Sequence, residues 1–136
     1  MSLNSEQKDQ LIRASFYAQK MAYVPYSKFR VGAAALAADG QIYTGCNIEN
    51  ASFGATICAE RTAVVKAVST GNRRIKAMAV ITDAEEFARP CGICRQVLAE
   101  FAADDFILLA LKPDGTYVEK TLADLLPDAF SPDSLS

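Results

Sequence analysis

Three cysteines in two short motifs, Cys58-Ala59-Glu60 and Pro90-Cys91-Gly92-Ile93-Cys94, place the strongest demand on how this chain can fold. Cys91 and Cys94 are spaced so that both can face one ion from the first turn of a helix. Cys58 likewise falls where a helix should begin. If the three thiolates share one metal, two helix starts far apart in sequence must converge. Zinc accepts sulfur ligands in tetrahedral geometry, and a catalytic zinc keeps one position for water. The chain contains no histidine, so no imidazole can act as ligand or base. Glu60, two residues after Cys58, is then the proton carrier nearest the metal, and the pattern reads as a zinc hydrolase.

Three thiolates on a divalent ion leave a net negative charge, which opposes ionisation of bound water. A zinc hydrolase needs that water near a pKa of ~7. Two helix N-termini aimed at the cluster and Arg61 beside Glu60 are the available compensation, and Arg61 is expected to hydrogen-bond a ligand sulfur. The competing reading is a structural zinc site closed by a fourth sulfur from Cys46. Against it, Cys46 ends a strand, where a small buried hydrophobe needs no further role. For Glu60 the competing reading is a solvated helix residue.

At 136 residues, of which 51% are hydrophobic, the chain fits a single catalytic domain spanning 1–136, large enough to bury about two-thirds of its unfolded surface. A net charge of -2 argues against a nucleic-acid partner, whose phosphates demand clustered cations. The basic cluster of Arg73, Arg74 and Lys76 reads as a solvated loop. Residues 1–10 are polar and show no secretory signal, and no apolar run reaches membrane-spanning length. A cytoplasmic location and no membrane partner are therefore expected, in a compartment where cysteines favour metal over disulfides.

Residues 5–22 read as a helix capped by Ser5 and stopped by Val24-Pro25. Two strands, 30–37 and 41–46, flank a hairpin signal at Asp39-Gly40. Residues 47–57 read as a polar loop and 58–68 as a helix ended by Gly71. The apolar run 75–82 suits a central strand covered on both faces. A helix at 92–101, strands at 106–111 and 117–120, and a short helix at 122–126 complete the order, with residues 131–136 a mobile polar tail. The sum is a three-layer α/β/α domain around a mixed five-stranded sheet.

The two cysteine motifs resemble the signature of zinc-dependent nucleoside and nucleotide deaminases. Other stretches are similar to the small homotetrameric cytidine deaminases: residues 25–34, Gly45-Cys46-Asn47-Ile48-Glu49-Asn50-Ala51-Ser52, and Leu125-Leu126-Pro127-Asp128-Ala129-Phe130. The resemblance runs from the first helix to Phe130. It implies one Zn²⁺ per subunit on Cys58, Cys91 and Cys94, with Glu60 shuttling a proton from water to ring N3 and then to the leaving amine. The substrates implied are cytidine and 2′-deoxycytidine, in pyrimidine salvage. Asn47 and Glu49 would bind the ribose 3′-hydroxyl, Phe29 would border the pyrimidine, and the backbone at Ala59 would read the base edge. Phe130 would reach into a neighbouring subunit's site; alternatively it plugs its own subunit, as Phe29 could merely pack a strand. The family often has tyrosine where this chain has Phe53, which touches a subunit contact and not the reaction. Two other functions stay open: a deaminase of another nucleoside-like substrate, and a non-enzymatic zinc-stabilised module.

Overall fold

A computed structural model describes residues 3–135. Met1 and Ser2, from the polar opening, and Ser136, the last residue of the expected tail, lie outside the described residues. The first helix, α1 (Ser5–Gln19), is capped by Asn4 and not by Ser5. Asn4 Oδ1 accepts from the Gln7 amide at 2.8 Å, and Gln7 Oε1 accepts from the Asn4 amide at 3.1 Å. This reciprocal box satisfies two donors that a helix start otherwise leaves unpaired. The helix also ends before residue 22. Tyr23 spends its backbone on a distant segment, donating to Asn47 O at 3.0 Å and accepting from Glu49 N at 2.9 Å, so it cannot continue a helical ladder.

Strands β1 (Val31–Ala37) and β2 (Ile42–Cys46) form the antiparallel hairpin. Helix α2 (Ala59–Ser69) leads to β3 (Ile75–Thr82), and α3 (Gly92–Phe101) runs straight into β4 (Ala102–Leu111). The chain then adds β5 (Tyr117–Thr121) and α4 (Leu122–Leu125). The sheet order is β2-β1-β3-β4-β5. Only β3 and β4 pair in parallel; the other neighbours are antiparallel. Strand β4 starts earlier than the apolar run suggests because the polar residues before Phe106 are taken up by an irregularity, where pairing jumps from Ile75–Ala102 to Ala77–Ile107. Within the expected mobile tail, Pro132–Leu135 form a 3-10 turn.

Side-chain alternation divides the sheet into two buried faces. Ala33, Ala35, Met78, Val80 and Leu108 pack with Ala63 and Val64 of α2 and Leu98 of α3. Ala34, Leu36, Ala79, Ile81 and Leu109 face Leu11 of α1. Helices thus cover both sides, giving the three-layer α/β/α arrangement. Two glycines allow the close approach. A Cβ on Gly32 would lie 2.2 Å from Ser15 O of α1, and one on Gly45 would lie 2.3 Å from Ala59 O of α2. Small residues on β1 and β2 therefore set how near the helices sit, and α2 in particular carries Glu60. No helix among the described residues is long and apolar enough to cross a membrane.

Candidate metal centre and active site

Cys58 is the N-cap of α2, Cys91 is the N-cap of α3, and Cys94 sits in the first turn of α3. An N-cap side chain usually accepts a bond from the helix backbone. Neither cysteine does so, and the sulfurs turn toward one another instead. All three Sγ atoms lie within 4.8 Å of each other, with Cys58–Cys91 at 3.8 Å and Cys91–Cys94 at 3.4 Å. Three sulfurs ~2.3 Å from one tetrahedral zinc would sit roughly 3.8 Å apart, so the donor set fits that ion. Cys46 is not in this group; it is half-buried at the end of β2 and lines a different cavity with Tyr17 and Lys66.

The electrostatics favour thiolate at Cys58. The Cys58 thiol is pulled down to about 5, chiefly by its hydrogen bond with Cys94 and further by Arg61 and Cys91, against the opposing effect of burial. Cys94 moves upward for the same reason, since it donates to that thiolate and is itself desolvated. Arg61 Nη2 lies 3.6 Å from Cys58 Sγ and 3.5 Å from Thr56 O, while its buried Nε has no hydrogen-bond partner among the described residues. Glu60 is only 5% exposed. Burial is the main cause that pushes its carboxyl up to about 7, and the neighbouring Cys58 charge adds to the rise. A carboxyl poised near neutrality can both take and give a proton at neutral pH.

These groups border a cavity of about 270 Å³. It gathers Phe29, Asn47, Glu49, Cys58, Ala59, Glu60 and Cys91 from four separate stretches of sequence. Cys94 is fully buried behind them. Asn47 Oδ1 accepts from Val31 N at 2.9 Å, and its Nδ2 donates to Phe29 O at 2.8 Å. Its amide thereby extends the β1 edge and keeps one N–H and one lone pair in reserve. Phe130 is not part of this wall. The residue is 60% exposed, and its carbonyl accepts from Gln96 Nε2 at 2.9 Å.

Sequence reading did not single out Ser27, Thr56, Thr82 or Arg89, which also line the cavity. Thr82 carried a signal: it is the polar end of an apolar strand, at the carboxyl edge of the sheet where α/β proteins place ligands. The rim there is tied together by Asp83, which accepts from Arg30 N at 2.7 Å and Arg30 Nη2 at 2.9 Å. Gln19 Nε2 donates to Arg30 O at 3.2 Å, joining the end of α1 to the start of β1. A larger cavity of about 360 Å³, lined by Arg95, Lys120 and Leu125 among others, holds none of the three sulfurs.

Residues 5–110 match the family model described as the cytidine and deoxycytidylate deaminase zinc-binding region. A cytidine deaminase of Sporosarcina psychrophila is 54% identical over 94% of both chains. Another, from Halalkalibacterium halodurans, is 46% identical over 95% of this chain and 98% of its own. Among solved structures, the crystal structure of cytidine deaminase from Burkholderia pseudomallei superposes with a TM-score of 0.86 at 40% identity, covering 94% of this chain and all of that one.

Proposed function

This chain belongs to the zinc-binding cytidine and deoxycytidylate deaminase family, and from that membership we propose that it hydrolyses cytidine and 2′-deoxycytidine to uridine and 2′-deoxyuridine, releasing ammonia. The observation that carries the reading is the meeting of a three-sulfur cluster with a cavity that a buried carboxyl and a polar pair also line. Cys58, Cys91 and Cys94 would hold the zinc ion. When bound, zinc supplies the Lewis acidity that brings water ionisation down to a pKa of ~7.

The protein's own groups do the rest. Glu60 takes one proton from the attacking water and delivers it to ring N3 as the water oxygen bonds to C4. It then takes the proton of the new C4 hydroxyl and gives it to the exocyclic amine, so that the C4–N bond breaks, the C4 carbonyl forms and ammonia leaves. Arg61 holds the Cys58 sulfur as thiolate and offsets the excess negative charge of the ligand set. The Ala59 backbone, fully buried at the start of α2, reads the base edge, and Phe29 borders the pyrimidine. Asn47 and Glu49 hold the ribose 3′-hydroxyl. An ionised carboxylate only accepts and the spare Asn47 N–H only donates, so a hydroxyl satisfies both at once.

The proposed unit is a single catalytic domain over residues 1–136, cytoplasmic, acting in pyrimidine salvage as a homotetramer with one zinc per subunit. Its partner is a small nucleoside, with neither nucleic acid nor membrane. Assembly is supported by the large apolar side chains left exposed on this subunit, including Tyr17, Met21, Phe53 and Phe130. Phe130 would complete a neighbour's site. An ultraviolet absorbance assay with cytidine, deoxycytidine and adenosine, run with and without a zinc chelator, tests the reading. Conversion of both cytosine nucleosides, lost on chelation, is expected; zinc-loaded protein that releases no ammonia from either would leave only a structural metal module.

A further inference from the structure

The turn preceding β1 contains a hydrogen-bonded linkage that none of the roles above uses. Glu49 Oε1 accepts from the backbone amides of Tyr26 at 3.0 Å and Ser27 at 3.1 Å. Its Oε2 accepts from the Ser27 hydroxyl. The same Ser27 Oγ accepts from the Phe29 amide at 3.0 Å. One hydroxyl therefore joins the carboxylate assigned to the sugar to the backbone of the aromatic assigned to the base. Between them, Lys28 has φ +60°, a left-handed conformation that a residue with a Cβ keeps only when its surroundings over-determine it. Its amide donates to Val24 O at 3.1 Å, and the Ser27–Glu49 bonds brace the other side.

We propose that Ser27 is a positioning residue for sugar recognition, its hydroxyl fixing the Glu49 carboxylate and the turn that presents Phe29 before substrate arrives. The inference rests on Glu49 being the ribose acceptor. A carboxylate offers about four lone-pair sites. Two amides fill those of Oε1 and the Ser27 hydroxyl takes one of Oε2, which leaves a single site for an incoming hydroxyl. The recognition is thus directional because its competitors are already in place. The bonds from Ser27 are also the main reason that the Glu49 carboxyl titrates below its ordinary range, so at neutral pH it presents acceptors alone. Without the Ser27 hydroxyl, Oε2 gains a free site, the Phe29 amide loses its partner and Lys28 loses one of its restraints.

Steady-state kinetics on zinc-loaded enzyme with cytidine and 3′-deoxycytidine decide the matter. Ser27→Ala is expected to lose about ten-fold in kcat/KM on cytidine, mostly through KM, the scale of one hydrogen bond to a charged group. On 3′-deoxycytidine, which lacks the group being recognised, the loss should stay under about three-fold. Ser27→Thr, which keeps the hydroxyl, should restore cytidine affinity, whereas the equally bulky Ser27→Val should not. Equal losses on both substrates, or matching behaviour of the Thr and Val variants, would overturn the positioning role. Glu49→Gln separates this from the underlying reading. If that variant loses equally on cytidine and 3′-deoxycytidine, the ribose assignment itself falls; if its loss is concentrated on cytidine while Ser27→Ala loses equally on both, only the role of Ser27 is lost.

Discussion

Glu60 and the sulfurs beside it set the terms of the chemistry through where they are buried. A carboxyl taken out of water resists ionisation, and for Glu60 that resistance brings proton exchange into the neutral range. A glutamate elsewhere on the same helix would lack both the burial and the neighbouring thiolate. The substitution Glu60→Gln keeps the shape of the side chain and removes only its ability to carry a proton. It should retain zinc at one ion per subunit and melt no lower than wild type, yet lose ~10²–10⁴ in kcat, the range for a positioned general acid–base group. Metal analysis alongside cytidine turnover checks both halves, and near-normal turnover would take Glu60 out of the mechanism. Cys58 and Cys91 differ from it in kind: each forgoes the backbone bond that a cap residue normally makes, which is local stability given up so that the sulfur can face the others.

Secondary-structure elements deliver those residues to one point, and the closeness of α2 to the hairpin is what does it. A Cβ built on Gly45 of β2 would meet Ala59 O at 2.3 Å and Ala63 N at 2.5 Å. Both are backbone atoms, so α2 would have to retreat as a body. Gly45→Ala should cost at least about 1–3 kcal/mol, as overpacking does. Because Cys58 and Glu60 open that same helix, zinc affinity and turnover should fall with it, which urea denaturation and a zinc-binding titration would show together. Such closeness is hard to read in a sequence, where Gly45 is simply an interruption in a strand. What was legible followed from local pattern: the apolar run of β3 and the proline-marked start of α3 were located to the residue. The end of α1 was not, because Tyr23 leaves the helix to pair with residues 47–49, a partner that helical periodicity does not register. Asn4 was legible in principle, since Gln7 stands three residues on and completes a capping box. In the site, the cysteines and Glu60 stood out because few other roles suit those residue types at that spacing. Ser27 and Thr82 did not, since a hydroxyl has meaning only through what the fold places against it.

For the molecule as a whole, the proposed sharing of sites between subunits turns on Phe130. Its backbone is anchored, with Gln96 Nε2 donating to its carbonyl at 2.9 Å, yet the residue is 60% exposed and does not line the cavity beside the three sulfurs. An anchored aromatic facing outward is the arrangement expected of a side chain that fills a partner's pocket, and aromatics contribute heavily at such interfaces. If the site is shared, its catalytic carboxyl and its closing aromatic come from different chains, and the two functions can be lost separately. Subunits carrying Glu60→Gln would then be inactive but still lend Phe130, whereas subunits carrying Phe130→Ala would have an intact carboxyl and an open site. Mixed oligomers, formed by co-expression with distinct affinity tags, should contain sites with Glu60 from one variant and Phe130 from the other. Their activity per Glu60 should exceed that of the pure Phe130→Ala protein by several-fold and approach wild type at the sites where both residues meet. Light scattering on the same preparations reports whether four chains assemble. Activity that never rises above the weighted mean of the two pure variants would place Phe130 outside the neighbour's site, even if the tetramer forms.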